Sequence, residues 1–120
     1  MICIPITART TDQAIAEMQS AEKTADIVEI RLDYIGSPDL ERILKSRTKP
    51  VIITIMPTSE GGHFTGSEQE RTALFQQAIE LGAEHIDVNF GNPALAELLQ
   101  QKKKTRIIVS YHNFSETPAD

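Results

Sequence analysis

The chain has no tryptophan, a single cysteine and few aromatic residues, 5% of its 120 positions. One cysteine closes no internal disulfide, and Cys3, inside the first apolar run, reads as a small buried hydrophobe. No apolar stretch approaches the roughly 20 residues that cross a bilayer. The N-terminus has no basic segment ahead of a long apolar region, so the expectation is a cytoplasmic protein with no membrane partner. Positive charge is also scarce: 12 Lys and Arg against 17 Asp and Glu leave a net charge of -5, which argues against nucleic acid as a partner. The one basic run, Lys102-Lys103-Lys104, suits the C-terminal end of a helix. His63, His85 and His112 have no zinc-type spacing, and neither a metal nor another cofactor is expected.

What is present is an ordinary globular balance, 40% hydrophobic and 24% charged, read as one domain over residues 1–120 with a flexible tail at 115–120. Five short segments alternate in the same way: Met1 to Thr7, Asp26 to Tyr34, Pro50 to Pro57, His85 to Phe90 and Arg106 to Phe114. Branched apolar residues hold one parity. The other holds Cys3, Glu29, Arg31, Thr54, Met56, Asp87, Asn89, Ser110 and His112, so each strand has a greasy face and a largely polar one.

Helical spacing fills the gaps between these strands. Ala14, Ile15, Met18 and Ala21 make one stripe behind an N-cap at Thr10 or Thr11. Leu40, Ile43 and Leu44 follow the Ser37-Pro38 start signal. Ser67 and Glu70 form a capping box ahead of Leu74, Phe75, Ala78 and Ile79, and Gly82 is the stop. Pro93 is expected at the first position of a fourth helix that turns Leu95, Leu98 and Leu99 inward. Strict alternation of strand and helix means a parallel sheet with right-handed crossovers.

Two α/β architectures share that order. A doubly wound sheet buries both faces of its central strands, which would force Glu29, Arg31, Asp87 and Asn89 under a helix layer at high cost. A barrel has helices outside only and takes polar residues in its lumen, so a partial (β/α)8 barrel is the expected fold. A closed barrel usually takes about 250 residues. Five strands leave the first and fifth as open edges, and the expectation is a homo-oligomer or a complementary chain covering them.

Glu29 and Arg31 share the polar face of the second strand, where they can pair with each other or clamp a ligand carboxylate or hydroxyl. Asp33 has their parity but falls where a turn or cap role is as natural. Ser110 and His112 share a face of the fifth strand, and an imidazole there can move protons near neutral pH. Glu60-Gly61-Gly62-His63 lacks the ending of a phosphate loop and reads as a mobile flap above the sheet.

IVEIRLDY, ITI-x-P-x-x-EGG, the IDV strand and SYHNF, in that order, resemble type I 3-dehydroquinate dehydratase of the shikimate pathway over the whole chain. The resemblance implies a (β/α)8 barrel, usually a homodimer, that removes water from 3-dehydroquinate through a lysine Schiff base. It implies substrate-binding roles for Glu29 and Arg31 and a catalytic, proton-carrying role for His112. Two positions depart from the family pattern. Met56 stands where a substrate-binding arginine is usual, and Asn89 where a glutamate supports the histidine.

The Schiff-base lysine belongs to strand six of the family barrel and has no counterpart here. Lys23, Lys45, Lys49, Lys102, Lys103 and Lys104 all fall on the N-terminal side of strands, a strand length of roughly 20 Å from the opposite rim. Two expectations follow: a dehydratase-like half that is inactive without a complementary piece, or a non-catalytic binding or assembly module derived from the same fold.

Overall fold

The computed structural model describes residues 1–110. Five strands, β1 Cys3–Ile6, β2 Ile27–Arg31, β3 Val51–Thr54, β4 His85–Asn89 and β5 Arg106–Ser110, alternate with four α-helices. The helices are α1 Thr11–Ala21, α2 Leu40–Lys45, α3 Glu68–Glu80 and α4 Leu95–Gln101. His112 and the tail at 115–120 lie outside the described residues.

All neighbouring strands pair in parallel, in the sequential order β1-β2-β3-β4-β5. With every crossover of the same hand and no reversal of strand order, the helices must all fall on one face. Packing agrees. Ile6, Val28, Ile30, Val51, Ile53, Ile86 and Val88 form one buried cluster with Met18 of α1, Ile43 of α2, Phe75 of α3 and Leu98 of α4. Each such side chain, fully buried, contributes about 1.5–3 kcal/mol. Strand residues of the other parity, Pro5, Glu29, Thr54, Asp87 and Ile108, stay out of that cluster. The fold is thus α/β, an arc of five parallel strands with four helices outside it, as the polar strand faces predicted.

The helix starts follow their sequence signals. The Thr10 hydroxyl accepts from the Gln13 N–H at 3.1 Å, and Asp39 accepts from the Arg42 N–H at 3.2 Å. Ser67 and Glu70 close the reciprocal capping box, and Gly82 beyond α3 takes a left-handed φ of 82°.

Four local expectations need correction. The second strand stops at Arg31, and Leu32–Tyr34 wind into a 3-10 turn, because Asp33 folds back onto Arg31. The fourth helix begins at Leu95, not Pro93; the Asn92 carboxamide oxygen accepts from the Ala94 N–H at 2.8 Å and holds Pro93 in a preceding turn. Leu99 is 45% exposed, turned away from the core. Cys3 is exposed rather than buried, since odd positions of β1 face the helix-free side of the sheet.

Among the described residues β1 pairs only with β2 and β5 only with β4. Large apolar side chains are exposed at both edges of the sheet, Ile2 beside β1 at 53% and Val109 and Ile108 on β5 at 47 and 38%.

Candidate active-site face

Strand register lines the polar residues up in rows across the helix-free face. Arg31, Thr54, Asp87 and Ile108 are lateral neighbours in one row. Asn89 and Ser110 are neighbours one row nearer the C-terminal rim. Glu29 sits one row below, opposite Pro5 and Ile52.

Glu29 and Arg31, both half-buried, are brought together on this face but do not form an ion pair. The Thr54 hydroxyl donates to Glu29 Oε2 at 2.8 Å. Arg31 donates instead to both oxygens of Asp33, Nε at 2.9 Å and Nη2 at 2.8 Å. The hydrogen bond to Asp33 raises the Arg31 pKa above its ordinary value, against the opposing effect of burial. The Asp33 side chain is fully buried and also accepts from the His63 N–H at 3.1 Å, so the acid that sequence left between a turn and a site role is the anchor of Arg31. Arg31 also lies over the Tyr34 ring, 5.0 Å from its centroid, which fixes the guanidinium plane.

Cys3 shares the face. Partial burial raises its thiol pKa, and the Glu29 charge raises it further.

Arg71 of α3 is a candidate at the rim that motif reading missed. Only 3% exposed, it reaches the rim from behind the sheet and donates to the Ile55 carbonyl at 2.7 Å and to Asn89 Oδ1 at 2.7 Å. The Asn89 amide then donates from Nδ2 to Glu60 Oε2 at 3.0 Å. A carboxamide is suited to this place because it accepts from a donor-only guanidinium and donates to an acceptor-only carboxylate at once. The signal for Arg71 was its spacing: positions 71, 75, 78 and 79 make one helical stripe, all buried.

The glycine-rich segment is a bonded unit rather than the flap expected. The Phe64 N–H donates to the Met56 carbonyl at 3.1 Å, the Gly62 N–H to Pro57 at 2.9 Å and the Thr58 N–H to Phe64 at 3.3 Å. Gly61 takes a left-handed φ of 84°, and a Cβ on Gly62 would fall 2.1 Å from the Met56 carbonyl oxygen. The segment thereby carries Glu60 to the rim beside Asn89.

Met56, Thr54, Asp87, Asn89 and Ser110 surround a cavity of about 10 Å3, room for no more than a water. The face is otherwise open, with Pro5 and Ile108 exposed. Among the described residues no three His, Cys, Asp or Glu side chains are grouped to hold a metal ion. No helix among them is long and apolar enough to cross a membrane.

The lysines stay at the far end. Lys45 pairs with Glu41 at the end of α2 at 3.0 Å, and Lys103 with Glu80 at the end of α3 at 2.9 Å. Helix ends feed strand starts, so these amines lie below strands of about five residues, roughly 15 Å from the rim.

The family model for type I 3-dehydroquinase matches residues 2–120. The chain is 36% identical to a 3-dehydroquinate dehydratase of Methanocaldococcus jannaschii, across 99% of this chain and 56% of that protein. It is 38% identical to the chloroplastic bifunctional 3-dehydroquinate dehydratase/shikimate dehydrogenase of Arabidopsis thaliana, across 99% of this chain and 21% of that one. Among solved structures, type I 3-dehydroquinate dehydratase from Clostridium difficile superposes with a TM-score of 0.85 at 25% identity, covering 98% of this chain and 52% of its own. The enzyme from Enterococcus faecalis gives 0.84 at 27%, covering 98% and 55%. The chain thus spans about half the length of the single-function relatives, 56% of the archaeal one. With the motifs, the one-sided helix layer and the strand order all in agreement, the chain belongs to the type I 3-dehydroquinase family.

Proposed function

We propose that this chain supplies the substrate-orienting wall of a 3-dehydroquinate dehydratase site and is inactive in imine chemistry without a complementary half. In this reading Glu29 and Arg31 hold the hydroxyl and carboxylate groups of 3-dehydroquinate. His112, two residues beyond Ser110 on the same parity, carries the proton that leaves and returns. A lysine of the complementary half condenses with the substrate ketone to a Schiff base with loss of water; elimination of a second water and hydrolysis of the imine then give 3-dehydroshikimate and the free lysine.

The observation that carries the reading is the Glu29–Arg31 face itself. A hydrogen-bonded carboxylate and a braced guanidinium stand side by side on an open polar surface, while lysines fall at the strand starts. A guanidinium locked by Asp33 and Tyr34 is ordered before any ligand arrives, which lowers the entropy lost on binding. The exposed Ile108 and Val109 of β5, a strand that pairs only with β4 among the described residues, fit a partner, either a second copy or a polypeptide carrying further strands.

Met56 and Asn89 favour a second reading, a binding or assembly module without catalysis. Met56 removes a cation from an acid-rich rim of Glu29, Glu60 and Asp87, which weakens the hold on an anionic substrate. Titration with 3-dehydroquinate tests the wall that the first reading needs, and dehydratase activity on mixing with a lysine-bearing C-terminal half of a relative belongs to the first reading alone. Saturable binding that is lost in Arg31→Met and Glu29→Gln supports the first reading. Binding that ignores both substitutions, or no binding at all, supports the second.

A further inference from the structure

A much larger cavity than the rim cleft lies elsewhere. It has a volume of about 710 Å3, within the range of small-molecule sites, and shares no lining residue with the rim cleft around Asp87. The loops after β1, β2 and β3 enclose it with α3, and Arg9, Tyr34, Pro38, His63 and Leu74 are among its walls.

Its charges are unequal. Arg31, Arg42, Arg47 and Arg71 each pair with a carboxylate. The Arg9 guanidinium has no such partner among the described residues. Two carboxylates line the cavity, and both are engaged: Asp33 by Arg31 and the His63 N–H, Glu70 by the Ser67 N–H within the first turn of α3. Arg9 and Glu70 are therefore the two charges of the lining without an ion pair; Glu70 is tied to the first turn of α3 by the Ser67 N–H, which leaves Arg9 as the cation open to an anionic ligand. The walls are suited to a ring: Tyr34 and His63 have centroids 4.2 Å apart at 42°, and Phe64, Pro38 and Leu74 add apolar surface.

Three of these wall residues also hold Arg31. Asp33 binds both arms of the guanidinium, Tyr34 lies beneath it, and His63 stacks on Tyr34 while its N–H holds Asp33.

We propose that this cavity is a binding site for a small aromatic carboxylate, its ring against Tyr34 and His63 and its carboxylate on Arg9, and that its occupancy is felt at Arg31. The coupling is reciprocal, so a ligand on Arg31 alters affinity at the cavity by the same factor. The site is independent of any dehydratase reaction and stands whether or not the chain catalyses one.

The test is an amide and arginine Nε–H chemical-shift titration of the 120-residue chain with benzoate, with benzyl alcohol and acetate as the ring-only and charge-only probes. Benzoate is expected to give saturable shifts at Gly36, Thr65 and Gly66 together with the Nε–H of Arg31. Each partial probe and the Arg9→Ala chain should bind about 10-fold more weakly, the loss of one charge-assisted contact or of the ring. Arg9→Lys should recover part of the loss. An otherwise superimposable spectrum shows that Arg9→Ala is folded. Shifts centred on Thr54 and Asp87, shifts that rise linearly without saturation, or equal benzoate affinity in Arg9→Ala would overturn the site. An Arg31 Nε–H that stays still while the cavity fills would overturn the coupling.

Discussion

Arg31 is held by Asp33, two residues along the chain, and not by Glu29 beside it on the strand. Two hydrogen bonds of 2.9 and 2.8 Å join the pair, and the Asp33 carboxylate has no solvent exposure. The 3-10 turn after β2 is what makes this possible, since it folds the acid back over the strand end. Glu29 is left to Thr54, with its charge directed at the open face.

Replacing Asp33 by Asn keeps the shape of the side chain and removes the charge that answers Arg31. Breaking a buried pair on one side leaves an uncompensated cation, and the expected loss is about 2–3 kcal/mol. Urea unfolding of Asp33→Asn checks it; a midpoint equal to that of the parent chain would contradict the anchoring role.

Asn89→Glu places a second carboxylate against Glu60, where the Asn89 amide now donates at 3.0 Å. Arg71, which donates to the Asn89 oxygen at 2.7 Å, answers one of the two carboxylates, and repulsion by the first raises the folded-state pKa of the other above the unfolded value. A raised pKa gives stability that is present at low pH and lost as pH rises through it. The variant is therefore expected to be less stable than the parent at pH 7, by about 1–2 kcal/mol, with the deficit shrinking toward pH 4. Unfolding midpoints at the two values test this, and a deficit that grows on acidification would contradict it.

Gly62→Ala drives a methyl group into the Met56 backbone, whose carbonyl oxygen is 2.1 Å from the Cβ position. Backbone cannot rotate away as a side chain end can, so the loop must shift. The expected cost is about 1–3 kcal/mol, with Glu60 pulled off Asn89. Chemical-shift changes at the Asn89 side-chain amide report that movement directly, and an unmoved amide would contradict the loop geometry.

Cys3 reads the charge of Glu29. Partial burial and the neighbouring carboxylate both raise the thiol pKa, so alkylation by iodoacetamide should set in at higher pH than for a free cysteine. Glu29→Gln removes the second cause, and the rate profile should move to lower pH. Identical profiles in the two chains would place Glu29 too far from Cys3 to share the face.

Much of this arrangement was written locally. Alternation assigned Glu29, Arg31, Asp87 and Ser110 to one face, and Thr10, Ser67 and Glu70 announced their helix starts through short-range hydrogen bonds. What escaped depends on contacts between distant segments. Asp33 reaches the backbone of His63, and Arg71 comes from the helix layer to bond Asn89. Cys3 was misplaced because its residue type suggested burial, whereas its parity already put it on the polar side. The last turn before α4 depends on one Asx bond from Asn92, which a proline signal overshadowed. For His112 the sequence supplies parity and resemblance only, since it lies outside the described residues.

The central claim is a separation: Glu29 and Arg31 gather on one rim, and the lysines lie at the other end of the strands. Borohydride reduction of the chain incubated with 3-dehydroquinate, followed by intact-mass measurement, tests it most directly. The account predicts no mass increase for this chain alone; a stable adduct mapped to any of its six lysines would contradict it.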